Sequence, residues 1–363
     1  MDKRLPIAAA ALLLASSVFA SDLQVSLGQP AVSAGQDVDV TVTYRNAGKQ
    51  TLHVYRWYVP GKELQERFLS VSVDGKPVEY LGPQYKRVVP SLRDTVALAP
   101  GATLNAKVRV SDYYDLSKGG QLNVRFESSS ARMMNGGLPS GVSAKSLSAA
   151  PQDEAIVSNA VSAASGGKIS PLLLRSQAAK QEWQVLSRSA VSGISYAGNC
   201  SVSQQSQSKD GYTAASAMAD ETSAYLNGAP SATTRYVTWF GKYSQTNWNT
   251  AKSHYVKIKD ALDTKPIKFD CSCTDSGTYA YVYPSQPYTV YLCGAFWNAP
   301  TKGTDSKGGT LVHELSHFTV VAGTQDHVYG QSGAKRLAKS SPSQALNNAD
   351  NHEYFAENTP YQP

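Results

Sequence analysis

The chain has 363 residues, 41% hydrophobic and 17% charged, a composition that supports packed domains and excludes disorder of the whole chain. Its formal charge of +6 is uneven: residues 195–363 hold 13 basic and 13 acidic side chains, so the entire surplus belongs to the first 194. The neutral C-terminal half lacks the clustered positive surface that phosphate binding needs, which excludes nucleic acid as its partner.

In chain order, Lys3 and Arg4 precede an apolar run from Ile7 to Ala15, and small residues follow as far as Ala20. This is the pattern of a secretory signal peptide over residues 1–20. The apolar run is shorter than the roughly 20 residues needed to cross a bilayer. No later run is long enough, so the expectation is a secreted, extracellular protein without membrane contact.

Residues 21–130 carry strand patterns with period two. Val38–Tyr44 alternates, Leu69–Val73 ends in the hairpin pair Asp74-Gly75, and Leu104–Val110 and Leu122–Phe126 follow. Short strands at this spacing predict an all-β immunoglobulin-like sandwich. Residues 131–194 include Ser162-Ala163-Ala164-Ser165-Gly166-Gly167 and read as a flexible, protease-accessible connector, with a helix expected over Leu172–Leu186.

The texture changes over residues 195–363. Helical patterns run from Gln204 to Leu226 and from Trp248 to Leu262. Strands are expected at Ile267–Cys271, Tyr279–Tyr283 and Thr289–Cys293. Helices return at Gly308–Val321, at Gln331–Lys339 and from Ser341, where Ser341 caps and Pro342 suits the first helical position. The expectation is a multi-domain chain ending in a mainly helical α+β domain with a small sheet. All four cysteines, Cys200, Cys271, Cys273 and Cys293, lie in this part. An even count in an exported chain predicts two disulfides. Cys271 and Cys273 point the same way in an extended run, so each is better placed for a partner elsewhere.

The strongest motif is His313-Glu314-Leu315-Ser316-His317. On a helix, residues four apart share a face, so both imidazoles aim at one spot and Glu314 lies beside it. Such a pair suits a catalytic zinc, which activates water and polarises a carbonyl, with the carboxylate carrying the proton. Zinc then needs a third protein ligand. The metzincin continuation is excluded by Val320 and Gly323, and the candidates that remain are Asp326, His327, His352, Glu353 and Glu357.

His313-Glu314-x-x-His317 followed by Gly323-Thr324-x-Asp326-x-x-Tyr329-Gly330 resembles the aspzincin signature of deuterolysin-type zinc metalloproteases. The runs Arg235–Gly241, Phe269–Cys273, Ala280–Pro284, Val290–Trp297 and Asn348–Phe355 resemble the peptidyl-Lys metalloendopeptidases within that family. The resemblance spans nearly all of 195–363 and implies a zincin-like catalytic domain binding one zinc ion. It implies His313, His317 and Asp326 as zinc ligands, Glu314 as general base and acid, and Tyr329 as donor to the oxyanion. Asp350 and Glu353 would form an acidic pocket for a lysine just after the scissile bond, and the cysteines would pair Cys200–Cys271 and Cys273–Cys293.

Spacing agrees with such a pocket, since two carboxylates three residues apart share a helical face and suit a compact ammonium, while an ordinary solvated acidic face has the same spacing. The reading is a secreted zinc endopeptidase, monomeric, acting on proteins and peptides on the amino side of lysine. It would be made as a zymogen, with the first domain as intramolecular inhibitor, and would activate itself by cutting before a connector lysine such as Lys168 or Lys180. Alternatives are a broad-specificity aspzincin and a non-catalytic secreted binding protein.

Overall fold

The computed structural model describes residues 22–61, 63–134, 154–188 and 193–363; the signal-peptide reading and part of the connector lie outside them. Among the described residues no helix is long and apolar enough to cross a membrane.

The N-terminal unit is built from two four-stranded sheets. The first joins β1 (Leu23–Leu27), β2 (Ala31–Val32), β3 (Val38–Asn46) and β9 (Thr103–Arg109) around the central β3. The second has the order β11-β10-β5-β6, from β5 (Leu69–Val73), β6 (Lys76–Pro77), β10 (Gly120–Ser129) and β11 (Ala155–Ser165). A ribbon of β4 (Leu52–Tyr55) and β8 (Thr95–Leu98) flanks them, with single-turn helices α1 (Val110–Tyr113) and α2 (Ser130–Met133) at strand ends. The alternation in β3 turns Val38, Val40, Val42 and Tyr44 inward, where they share one core with Leu122, Val124 and Phe126 of β10. Asn159 of β11 ties the two sheets, accepting from the Leu27 backbone amide at 2.9 Å and donating to the Leu27 carbonyl.

β11 corrects the expected connector. Residues 155–165 pair with β10 along its length, and Ile156, Ser158, Val161 and Ser165 are buried. Small Ser and Ala side chains lower the apolar signal of a strand without preventing it from burying one face. The helix expected near 172–186 is present as α3 (Pro171–Arg188).

The C-terminal unit is α+β. Its helices are α4 (Val202–Asn227), α5 (Thr234–Phe240), α6 (Gln245–Thr264), α7 (Gly294–Asn298), α8 (Lys307–His317), α9 (Gly330–Ser340), α10 (Pro342–Leu346) and α11 (Ala349–Glu357). They pack against a sheet ordered β12-β13-β15-β14-β7, from β12 (Gly193–Ala197), β13 (Pro266–Asp270), β14 (Thr278–Val282), β15 (Thr289–Leu292) and, from the N-terminal unit, β7 (Gln84–Arg87). Nothing in the sequence pattern marks 84–87 as a strand of this sheet. The disulfides are Cys200–Cys271 and Cys273–Cys293, with Cα atoms 5.1 and 4.7 Å apart, and they fasten both flanks of the loop after β13.

Two packing features place α8 and α11. Gly308 lets α8 approach α4, since a Cβ there would lie 2.9 Å from the Ala214 Cβ. Arg235, 1% exposed, donates to the Phe355 carbonyl in the last turn of α11 and makes a two-pronged pair with Glu221 at 2.7 and 2.8 Å. α8 ends at His317 rather than continuing to Val321, because the chain folds back and the Thr324 amide donates to the Ser316 carbonyl at 3.2 Å. Replacing Arg235 with Met should lower stability by about 2–4 kcal/mol, since it leaves the buried α11 carbonyl without its side-chain donor and removes the two-pronged pair with Glu221. Denaturant unfolding checks this; a loss below about 1 kcal/mol would contradict the role given to Arg235.

Candidate active site

α8 is buried on every side, although Leu311, Val312 and Leu315 are its only large apolar residues. His313 and His317 project from it one turn apart, with ring centroids 4.8 Å apart. The turn at Gly323, with φ of 63°, sends the chain back so that Asp326 faces both rings. Asp326 Oδ1 lies 3.1 Å from His313 Nε2, and Oδ2 lies 3.3 Å from His317 Nε2. His317 Nδ1 lies 2.9 Å from the Thr324 carbonyl, a contact that puts the proton on Nδ1 and leaves Nε2 free as a donor of electrons.

These residues fit a zinc ion. His313 Nε2, His317 Nε2 and both Asp326 oxygens are buried and make no hydrogen bond. One donor atom from each residue lies within 4.8 Å of the others. Buried polar atoms left unpaired are costly, and two imidazole nitrogens with one carboxylate are a zinc donor set. Glu314 is fully buried beside them with both oxygens unpartnered. Burial pushes its carboxyl up to about 7, against the pull of the two imidazoles.

The other third-ligand candidates fall elsewhere. His327 Nε2 lies 2.9 Å from Asn347 Oδ1. His352 is bracketed by the Asn348 carbonyl and His254, and burial pushes it down to about 3. Glu357 accepts from the Asp305 and Ser306 amides at the start of α8. Glu353 joins Asp350 in a second cluster on the far side of His313. His313 Nδ1 lies 2.9 Å from Asp350 Oδ1 and 3.3 Å from Glu353 Oε2, so the pocket carboxylates also orient a metal-site imidazole.

A lysine occupies that second cluster. The Lys86 ammonium lies 2.6 Å from Glu353, 3.7 Å from Asp350 and 3.4 Å from Asp305, over the rings of Tyr279 and Tyr354. Burial alone would push this amine down, but the three carboxylates hold it well above its ordinary value. Tyr329, at the start of α9, donates its hydroxyl to the Tyr85 carbonyl at 2.8 Å, with a Glu66 oxygen 3.2 Å away. Asp350 also accepts from the Gly330 amide, which locks α9 to α11. The structure brings His313, His317 and Asp326 into one cluster and His313, Asp350 and Glu353 into a second, with Glu314 buried on the same helix and Tyr329 bonded to the backbone beside Lys86. Sequence reasoning missed Asp305, Glu66, Tyr85 and Lys86. Asp305 stands in a polar loop with no motif, and a contact made across more than 200 residues leaves no local signal.

Residues 225–357 match the aspzincin family described as lysine-specific metallo-endopeptidase. An extracellular protease of Aeromonas hydrophila is 44% identical over 348 residues, covering 96% of this chain and 95% of the relative. A peptidyl-Lys metalloendopeptidase of Pleurotus ostreatus is 54% identical over 161 residues, 44% of this chain and 95% of the relative. The solved zinc peptidase from Grifola frondosa is 51% identical and covers 45% of this chain and 100% of that one, with a TM-score of 0.44. This chain belongs to the aspzincin family of zinc metalloendopeptidases.

Proposed function

We propose that the chain is the secreted zymogen of an endopeptidase that hydrolyses peptide bonds on the amino side of lysine. The observation that carries this reading is the buried acidic pocket next to the metal cluster, which already holds a lysine ammonium between Glu353, Asp350 and Asp305. Lysine preference also fits the name of the Pleurotus relative, and export fits the two disulfides and the Aeromonas relative named as extracellular.

In this reading His313, His317 and Asp326 hold one zinc ion, which when bound activates water and polarises the substrate carbonyl. Glu314 takes the proton of the attacking water and passes it to the leaving amine. Tyr329 donates to the carbonyl oxygen as negative charge grows there. Asp350 and Glu353 fix the lysine, and Asp350 keeps His313 in position.

The N-terminal unit is an immunoglobulin-like pro-domain that inhibits while it covers the cleft. Self-cleavage would fall before a lysine downstream of it. Lys168 follows β11 in a pair with Asp37 at 3.0 Å, and Lys180 lies on α3 in a partly exposed pair with Glu79 at 3.6 Å.

Peptides differing only in Lys, Arg or Ala after the scissile bond test the reading; processed enzyme should prefer Lys by about 100-fold or more. Equal rates on all three would overturn it. Glu314→Gln should lower kcat by about 10²–10⁴, and Tyr329→Phe by about 10²–10³, with little change in zinc content.

Titration supplies a further check. Burial raises Glu314 and Glu66 to about 7, and His313 is raised by the carboxylates around it. Stability that such groups contribute at low pH is lost as pH rises through their folded values. The metal-free chain should therefore become less stable from pH 6.5 to 8.5, by about 1 kcal/mol per raised carboxyl, and Glu314→Gln should flatten the slope. Zinc must displace the His313 proton, so its stabilisation should grow over the same range. Thermal unfolding with chelator and with zinc measures both; a zinc effect that shrinks with pH would contradict the ligand set.

A further inference from the structure

We propose that Gln84–Arg87 is a substrate surrogate: the N-terminal unit blocks its own cleft by presenting the Tyr85–Lys86 peptide bond to the catalytic residues, with Lys86 in the acidic pocket. This rests on the lysine-directed reading above and names the segment and the bond through which the inhibition acts.

Three observations meet on that bond. β7 extends the catalytic sheet by pairing antiparallel with β14, with Gln84 opposite Val282, Tyr85 opposite Tyr281 and Lys86 opposite Ala280. Adding a strand to an open sheet edge is how extended peptides are bound, with main-chain bonds giving affinity and pockets giving selectivity. On the carboxyl side of the bond, Lys86 fills the pocket of Glu353, Asp350 and Asp305. On the amino side, the carbonyl that receives the Tyr329 hydrogen is that of Tyr85. An endopeptidase cutting before lysine needs its oxyanion donor on the carbonyl of the residue before the lysine. A salt bridge that merely joined two domains would require the ammonium in the pocket and nothing of that carbonyl.

The segment is braced by its own unit and by the rim of the site. Gln84 donates to the Gln325 side chain at 3.2 Å. Arg87 lies 3.6 Å from Glu66 and stacks over Trp57 and Tyr85. Arg132 of α2 donates to the Asp326 backbone carbonyl at 3.2 Å. A ligand tethered in this way competes with free peptide at a high effective concentration. The arrangement also marks Asp305, which no sequence motif singles out, as the third carboxylate of the lysine pocket.

The test uses the full chain with Glu314→Gln, so that no self-cleavage intervenes. Brief treatment with an amine-acylating reagent, read by peptide mass spectrometry, should modify Lys86 about tenfold or more slower than the exposed Lys76 of the same chain. A fluorescent lysine peptide should bind the zinc-loaded K86E variant, whose new carboxylate is repelled by the pocket, about tenfold or more tightly than the chain with Lys86. K86M keeps the stem without the charge, guards against a folding defect in K86E, and should bind about threefold or more tightly than the Lys86 chain. Acylation of Lys86 as fast as Lys76, or equal peptide affinity across the three chains, would overturn the inference. The lysine-directed reading fails separately, if processed wild-type enzyme cleaves Lys, Arg and Ala peptides alike; the acylation pattern does not depend on that outcome.

Discussion

The site depends on one contact: the Asp326 carboxylate lying against two imidazoles of a single buried helix. Each of these groups has lost its water, and none has a hydrogen-bond partner on the side facing the others. Such a cluster is expensive unless a cation joins it. Most of the surrounding architecture bears this cost. α8 is enclosed on all sides, the Gly323 turn returns the chain to it, and the Thr324 carbonyl fixes the His317 ring. Metal binding is thereby tied to the fold itself.

The pocket and the metal site share residues. Asp350 faces His313 Nδ1 with one oxygen and the Gly330 amide with the other, so the residue proposed for lysine binding also lies against an imidazole proposed for the metal. Arg235 anchors the last turn of α11 and so holds Asp350 and Glu353 at their distance from α8. In the proposed reading, selectivity and catalysis would both depend on the placement of this one short helix.

The catalytic centre was legible in the sequence because its information is local. Imidazoles four apart on a helix share a face wherever the helix lies, whereas spacing leaves Asp326 among five candidates and only the family resemblance singles it out. Asp350 and Glu353 share a helical face by the same spacing, but a solvated acidic face has that spacing too, and the resemblance is what marks them as a pocket. Other parts were not legible, for different reasons. β11 is rich in Ser and Ala, so its buried face lacks the large apolar side chains by which strands are recognised, and only its pairing with β10 makes it a strand. α8 stops at His317 because of a backbone bond from Thr324, which no periodicity records. Lys86 is one basic residue among many in the first 194, and its meaning exists only where β7 meets β14.

In the proposed reading the same electrostatics would account for both latency and selectivity. Three carboxylates converge on a space that is nearly dry, and one ammonium there is compensated by all of them. Withdrawing Lys86 leaves those charges facing one another, so the emptied pocket must admit water or another cation. A lysine from a substrate restores the balance with a compact charge and three donors, whereas a guanidinium brings a wide planar fork that does not match convergent single oxygens. An apolar side chain leaves the repulsion in place. On the proposal that Lys86 stands in for a substrate lysine, the charge that holds the chain's own segment would also discriminate among substrates, and a segment built around any other residue would forgo that term.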